Sequence, residues 1–209
     1  MSAAAAEMAR RDRAVAVKTP LERLAHAGLI GLVHLPLLAI PFAEPRPRDW
    51  VVFVLLYVVN FFSLSDGMHR YFTHRAFRTS RAFQFAMALL AGCFFGDAVE
   101  FSGKHRLHHR FSDTDQDPHS PRRGWFHCWL GNLVDDGYTV EERLAAVPDL
   151  TRYPELMWLH RWWALVGTAA CLAVVAAGGW SMFLIGYCLN LPLRLHFMSA
   201  INYFGHRGS

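Results

Sequence analysis

The sequence has few charged residues and few cysteines for its length. Asp, Glu, Lys and Arg make up 18% of the 209 residues, and 53% of the residues are apolar. Soluble globular proteins have about 25% charged residues. The four cysteines contain no C-x-x-C spacing, which excludes a disulfide framework, a zinc ribbon and a thioredoxin motif. This composition excludes an ordinary soluble enzyme and indicates a chain that lies partly in lipid.

The formal net charge of +4 comes from basic residues that lie between apolar runs. Because they form no dense basic block, they are typical of the flanks of membrane spans, and we expect no nucleic-acid partner. The first 17 residues contain no apolar core and no cleavage-like site. No signal peptide is therefore predicted.

Long apolar runs predict an all-α integral membrane fold with four transmembrane helices in two hairpins. A span needs about 20 mostly apolar residues. The predicted spans lie at about 24–42, 50–67, 157–178 and 180–199. A glycine turn at Gly178-Gly179 separates the last two spans. The apolar run at 82–97 is short for a bilayer core and favours an interfacial or partly inserted helix, with a membrane span as the alternative. A buried hairpin of a soluble protein is the alternative for the first two runs.

Lysine and arginine are concentrated on one side of these predicted spans. Five lie in residues 1–23 and four in residues 70–81, against two in the first link and none in the last turn. The positive-inside rule therefore predicts a multi-pass protein, of a bacterial inner membrane, with both termini in the cytoplasm. The predicted organisation is a cytosolic tail (1–23), a membrane domain (24–206) that includes a cytosolic cap (68–155), and a short C-terminal segment (207–209).

Five of the twelve histidines fall in two short clusters. The first reads HRYFTH from His69 to His74, and the second reads HRLHH from His105 to His109. Residues three and four apart share a helix face, so we expect His105, His108 and His109 to converge on one point. His69 and His74 lie about 140° apart on a regular helix. That separation suits two neighbouring metal ions, or one ion at a distorted helix end.

The predicted topology brings a third source of ligands to the same membrane surface. The last span returns to the cytoplasmic side and carries Asn202 and His206, which are four residues apart and share a face. Neutral imidazole binds iron, zinc or copper, so ligand type alone leaves the metal open. H-E-x-x-H and Glu-x-x-His strings are absent, which excludes the common zinc hydrolases and carboxylate-bridged iron bundles. A histidine-rich site at a membrane surface favours an oxygen-activating iron pair.

These motifs resemble the membrane-bound acyl desaturases of the stearoyl-CoA (Δ9) type. HRYFTH is followed after 30 residues by HRLHHRFSDTDQDPHSPRRGWFH, and the later HFMSAINYFGH is similar to the family's N-x-x-x-H element. The resemblance implies four membrane spans and a cytosolic cap that holds two irons. The ligands that it implies are His69, His74, His105, His108, His109 and His206, with Asn202 contacting iron through water. We expect His119 and His127 to be loop residues or to lie around the ligands.

The reaction that the resemblance implies is O₂-dependent removal of two hydrogens from a saturated fatty acyl chain, which gives a cis double bond. The substrate would be a long-chain acyl group on CoA or lipid. Electrons would come from a ferredoxin or a cytochrome b5-type donor with its reductase. Related histidine-box proteins insert oxygen instead, so a hydroxylase or ketolase is the alternative. Candidate carboxylates for orienting the imidazoles are Asp97, Glu100, Asp113 and Asp117.

The sequence departs from the family pattern in one respect. The family carries a third histidine box, H-x-x-H-H, some tens of residues after the N-x-x-x-H element. The sequence ends three residues after His206. We therefore expect either a fragment of a longer desaturase or a catalytically inactive membrane protein that binds metal.

Overall fold

The computed structural model describes residues 18–112 and 114–206, without the side chain of His206. The predicted tail up to residue 17 and the last three residues lie outside the described part. Within the described residues all regular structure is helical, which confirms the prediction of an all-α fold. The α-helices are α1 (Pro20–His34), α2 (Pro47–Phe62), α3 (Arg81–Gly92), α4 (Ala98–Phe111), α5 (Asn132–Val134), α6 (Val140–Ala145), α7 (Pro148–Thr151), α8 (Pro154–Met182) and α9 (Asn190–His206). Other helical segments are 3-10 turns at Leu35–Phe42 and Pro121–Arg123, and π-helical segments at Ser63–Thr73, His127–Gly131 and Phe183–Cys188.

Side chains at the helix starts explain where several helices begin. The Thr19 hydroxyl oxygen accepts from the backbone N–H of Glu22, and the Glu22 carboxylate accepts from the backbone N–H of Thr19. This reciprocal pair of hydrogen bonds caps α1. Ser80 accepts from the backbone at the start of α3. Asp97 accepts from two backbone N–H groups of α4, where a carboxylate also suits the positive end of the helix. The start of α4 sets the register of the second histidine cluster.

Three helical stretches are long and apolar enough to cross a membrane: Pro20–Phe42, Pro47–Thr73 and Pro154–Gly205. The third contains 52 residues and, at 1.5 Å per residue, would be about 78 Å long as a straight helix. The hydrocarbon core of a bilayer is only about 30 Å thick. Gly179, with φ 76° and ψ −167°, interrupts this stretch near its middle.

The outer faces of these stretches are apolar and exposed. On α2 they include Val54, Leu55 and Val58, and on α8 they include Leu165 and Leu172, each more than half exposed. In water such a continuous apolar surface is unfavourable, whereas lipid accepts it. The exposed side chains therefore agree with a membrane location.

One apolar core joins the first histidine segment to the helices around it. Its buried side chains come from Ser63–Thr73, α3, α4 and α8, and include Met68, Phe72, Met87, Val99 and Leu156. Because these side chains are buried among one another, the segments that carry the two histidine clusters pack against one another.

Helices α4 and α6 approach each other closely at Gly103. A Cβ atom at this position would collide with the carbonyl group of Arg143. The buried Arg143 guanidinium donates through Nη1 to both carboxylate oxygens of Asp136 at 3.0 and 3.2 Å, and to the carbonyl oxygen of Tyr138 at 2.7 Å. Arg143 of α6 also pairs with Glu100 of α4, so this arginine joins the two helices.

Candidate metal centre

Four imidazoles from two parts of the chain form one compact group, called here the four-imidazole group. They are His69 of Ser63–Thr73, His74 directly after that segment, and His105 and His109 of α4. One ring nitrogen of each lies within 4.8 Å of the others. The Nε2 atoms of His69 and His74 are 3.1 Å apart, and those of His105 and His109 are 3.2 Å apart. Two nitrogens bound at about 2.1 Å to one ion would be about 3.0–3.4 Å apart. The two close pairs, His69 with His74 and His105 with His109, therefore have the spacing of ligands on one ion.

The π-helical geometry of Ser63–Thr73 explains how the first two histidines meet. In a π-helix the backbone bonds to the fifth residue back, so residues five apart lie on the same side. The backbone N–H of His74 donates to the carbonyl oxygen of His69 at 3.1 Å, and their ring centroids are 4.5 Å apart. Of the two arrangements that the spacing left open, the geometry matches one ion at a distorted helix end.

The surroundings of His105 favour its neutral form. Burial, together with the neighbouring rings of His109 and His69, lowers the pKa of His105 to about 2. Phe101 stacks on this ring with centroids 5.6 Å apart. At neutral pH the imidazole therefore carries no proton that a metal would have to displace.

His108 belongs to a second group with Asp117 and His119, and all three side chains are buried. The His108 Nδ1–H donates to Asp117 Oδ1 at 2.9 Å, and the backbone N–H of His119 donates to the same oxygen at 3.1 Å. The two imidazole centroids are 4.0 Å apart. Burial alone would raise the pKa of Asp117. The hydrogen bond from His108 and the electrostatic effect of the His119 and His108 imidazoles hold that pKa below its ordinary value.

The expectation that His105, His108 and His109 converge on one point is therefore wrong for His108. Adjacent residues of an α-helix differ by about 100° in direction, so the side chains of His108 and His109 leave α4 on different sides. The carboxylate of Asp117 contacts Nδ1 of His108, while the His108 ring stays beside those of His105 and His109, with centroids 5.5 and 5.2 Å away.

Among the carboxylates expected to orient histidines, Asp117 makes such a contact with a clustered histidine. Asp97 instead caps the start of α4, and Glu100 pairs with Arg143. Asp113 lies outside the described residues.

A cavity of about 120 Å³ is lined by one histidine from each group and by α9. His105 of α4 and the loop residue His119 border it on one side, and Leu195, Met198 and Asn202 border it from α9. Asn202 thus shares this space with both histidine groups. The side chain of His206 lies outside the described part, at the end of the same helix.

Two histidine contacts have no signal in the sequence pattern. His119 lies in an irregular loop, where no helical spacing relates it to His108. His34 and His196, 162 positions apart, bring their Nε2 atoms to 2.9 Å, and the Trp129 indole N–H donates to Nδ1 of His196 at 3.0 Å. Such contacts depend on the packing of α1, α9 and the cap rather than on local spacing.

Comparison with known proteins gives consistent matches. The family model described as fatty acid desaturase matches residues 48–209, which include both histidine clusters and Asn202. Delta-9 acyl-lipid desaturase 1 of Arabidopsis thaliana is 32% identical over 99% of this chain and 68% of its own length. The sn-1 stearoyl-lipid 9-desaturase of Anabaena variabilis is 28% identical over 75% of this chain and 60% of its own length. The acyl-CoA C20 Delta5-desaturase of Anemone leveillei is 28% identical over 87% of this chain and 59% of its own length. The chain thus spans about three-fifths of the length of the last two relatives.

Proposed function

The chain belongs to the fatty acid desaturase family, and from this membership we propose that it introduces a cis double bond into a saturated long-chain fatty acyl group in an O₂-dependent reaction. The observation that carries the proposal is the four-imidazole group, whose members come from both histidine clusters within the matched region. We propose Δ9 as the position, because the Arabidopsis and Anabaena relatives carry that name.

The cofactor in this proposal is a pair of iron ions. His69, His74, His105 and His109 would hold one ion, since their nitrogens have the spacing of ligands on one metal. The second ion would be held by the ligand set implied by the resemblance, which is His108, His206 and, through water, Asn202. Bound iron would supply the activation of dioxygen.

The chain's own residues would orient the ligands and exclude water. Because Asp117 accepts the Nδ1–H of His108, Nε2 remains as the nitrogen that can bind metal. The cavity beside His105 is bordered by apolar side chains such as Phe101, Leu133 and Met198. A methylene chain fits such a lining, and a dry cavity keeps water from the reacting carbons.

The topology in this proposal has four membrane spans. The break at Gly179 supports a return of the chain across the bilayer, with α8 and α9 as separate spans. Both termini and the cap then lie on the cytoplasmic side of a bacterial inner membrane, where α3 forms the interfacial helix. The substrate would be an acyl group on CoA or lipid. The electron donor would be a ferredoxin or a cytochrome b5-type protein with its reductase.

Mass analysis of the acyl products tests the reaction. The full chain is supplied with ferrous iron, O₂, a saturated C18 acyl substrate and a reducing system. Loss of two hydrogens with a cis double bond supports the proposal, gain of one oxygen indicates a hydroxylase, and bound iron without oxygen uptake indicates a non-catalytic metal-binding protein. His74→Ala should abolish turnover. His26→Ala is the matched control, because this exposed imidazole contacts the carbonyl oxygen of Glu22 in its own helix.

A further inference from the structure

The four-imidazole group is assembled from two segments whose relative position must be fixed. Across the segments, the ring centroids of His69 and His105 are 4.9 Å apart, and those of His74 and His109 are 4.7 Å apart. A functional site needs its ligands within about 0.5 Å of the productive geometry. Ring contacts alone do not provide that precision, so other hydrogen bonds must hold the segments together.

Arg106 bridges the two segments. It follows His105 in α4, and its Nη2 donates to the carbonyl oxygen of Phe72 at 2.7 Å, while Nε donates to that of Thr73 at 3.1 Å. These are the last two residues of the π-helical segment, directly before His74. The carbonyl groups at a helix end lack partners within the helix, and a positive charge is favoured there. The guanidinium therefore fixes the end of the first cluster against the helix that carries the second.

Asp149 of α7 holds the same guanidinium from another side. Its Oδ1 accepts from Nη1 of Arg106 at 2.6 Å, and its Oδ2 accepts from Nη2 at 3.1 Å. Arg75 also pairs with Asp149 Oδ1, at 2.7 Å. With φ 53°, Arg75 has a left-handed backbone that is uncommon for non-glycine residues, and it ends the segment just after His74. The carboxylate of Asp149 thus ties down both the bridging arginine and the turn beside a ligand.

We propose that Arg106 is a positioning residue of the metal centre, which sets the position of His74 relative to the imidazoles of α4. The inference rests on the proposed function, because it requires that the four-imidazole group binds metal. Lysine preserves the charge but lacks the planar fork that reaches the carbonyl groups of Phe72, Thr73 and Ala146 and the carboxylate of Asp149 at once. Arg106→Lys therefore releases the end of the first cluster while it keeps a cation near Asp149.

The test compares Arg106→Lys with Arg143→Lys in the full detergent-solubilised chain. Arg143 is a matched control, since it is also a largely buried arginine, with two carboxylate partners, Asp136 and Glu100, and the carbonyl oxygen of Tyr138. Co(II) affinity and absorption spectrum are measured against a competing chelator. Thermal unfolding of the metal-free proteins gives the stability separately. Loss of an absorption band in His105→Ala identifies the band that belongs to the four-imidazole group.

We expect Arg106→Lys to weaken Co(II) binding to the four-imidazole group about 10- to 100-fold. The shape of the absorption band of that group should also change. Arg143→Lys should lower the unfolding temperature and leave Co(II) affinity unchanged. Wild-type affinity and spectrum in Arg106→Lys, or an equal loss of affinity in both variants, overturns the inference and leaves the proposed function standing. Failure of the wild-type chain to bind Co(II) through His105 overturns the metal centre and the inference with it.

Discussion

Replacement of Asp117 tests whether one buried carboxylate organises the second histidine group. Its side chain is fully buried, and Oδ1 accepts from Nδ1 of His108 and from the backbone N–H of His119. In Asp117→Ala both donors lose this acceptor inside the protein. A buried donor without an acceptor costs about 1–3 kcal/mol, so the two together cost about 2–6 kcal/mol of unfolding free energy.

Asp117→Asn separates the charge of the side chain from its shape. An amide oxygen in the position of Oδ1 accepts the same two N–H groups, so the hydrogen bonds remain and only their charge assistance is lost. Charged hydrogen bonds contribute about 1.5–3 kcal/mol and neutral ones about 0.5–1.5 kcal/mol. The expected loss in Asp117→Asn is therefore about 1–1.5 kcal/mol for each bond, or about 2–3 kcal/mol for the two. Asp115→Asn, an exposed change in the same loop, should stay within about 0.5 kcal/mol of wild type.

Thermal unfolding in a single detergent, followed by far-ultraviolet circular dichroism, measures these differences. For a chain of this size about 1 kcal/mol corresponds to about 2–4 °C in Tm. Asp117→Ala should therefore have the lowest unfolding temperature, and Asp117→Asn should unfold several degrees below wild type and Asp115→Asn. The reasoning fails if Asp117→Asn is as unstable as Asp117→Ala, or if Asp115→Asn loses as much stability as Asp117→Asn.

The remaining predictions concern the packing of α4 at Gly103 and the pH dependence of stability due to Asp149. Gly103→Ala places a Cβ against the carbonyl group of Arg143, and overpacking should lower the unfolding free energy by about 1–3 kcal/mol. Gly28→Ala, which meets open space, should instead raise the unfolding temperature, and the reverse order would contradict the packing argument. For Asp149, burial alone would raise the pKa, but hydrogen bonds from Arg106 and Arg75 hold it below its ordinary value of 3.8. Because the folded-state pKa is lowered, this stability is present above pH 3.8 and is lost as the pH falls through the folded-state pKa. Asp149→Asn should make Tm less dependent on pH below pH 3.8. An unchanged pH dependence in this range would show that the ion pairs of Asp149 do not stabilise the fold.

Local spacing predicts the parts of the site that depend on a single helix. His105 and His109 are four residues apart in α4 and meet as an i, i+4 pair should. The helix start at Asp97 is likewise encoded by a residue type that caps helices. The same reasoning fails for His69 and His74, because a five-residue spacing gives different geometries in an α-helix and a π-helix. No side-chain pattern in HRYFTH distinguishes the two.

The relative position of the two clusters depends on long-range hydrogen bonds that spacing does not encode. Arg106 reaches carbonyl groups 33 and 34 positions away and a carboxylate 43 positions away. In sequence, that arginine is one more basic residue among histidines, and its chemical importance arises from what lies opposite it in the fold. His119 is similar, since it reaches His108 from the irregular loop that also carries Asp117. Candidate ligand types can thus be predicted from the clusters, whereas the fold brings the two clusters together through long-range contacts such as those of Arg106 with Phe72, Thr73 and Asp149.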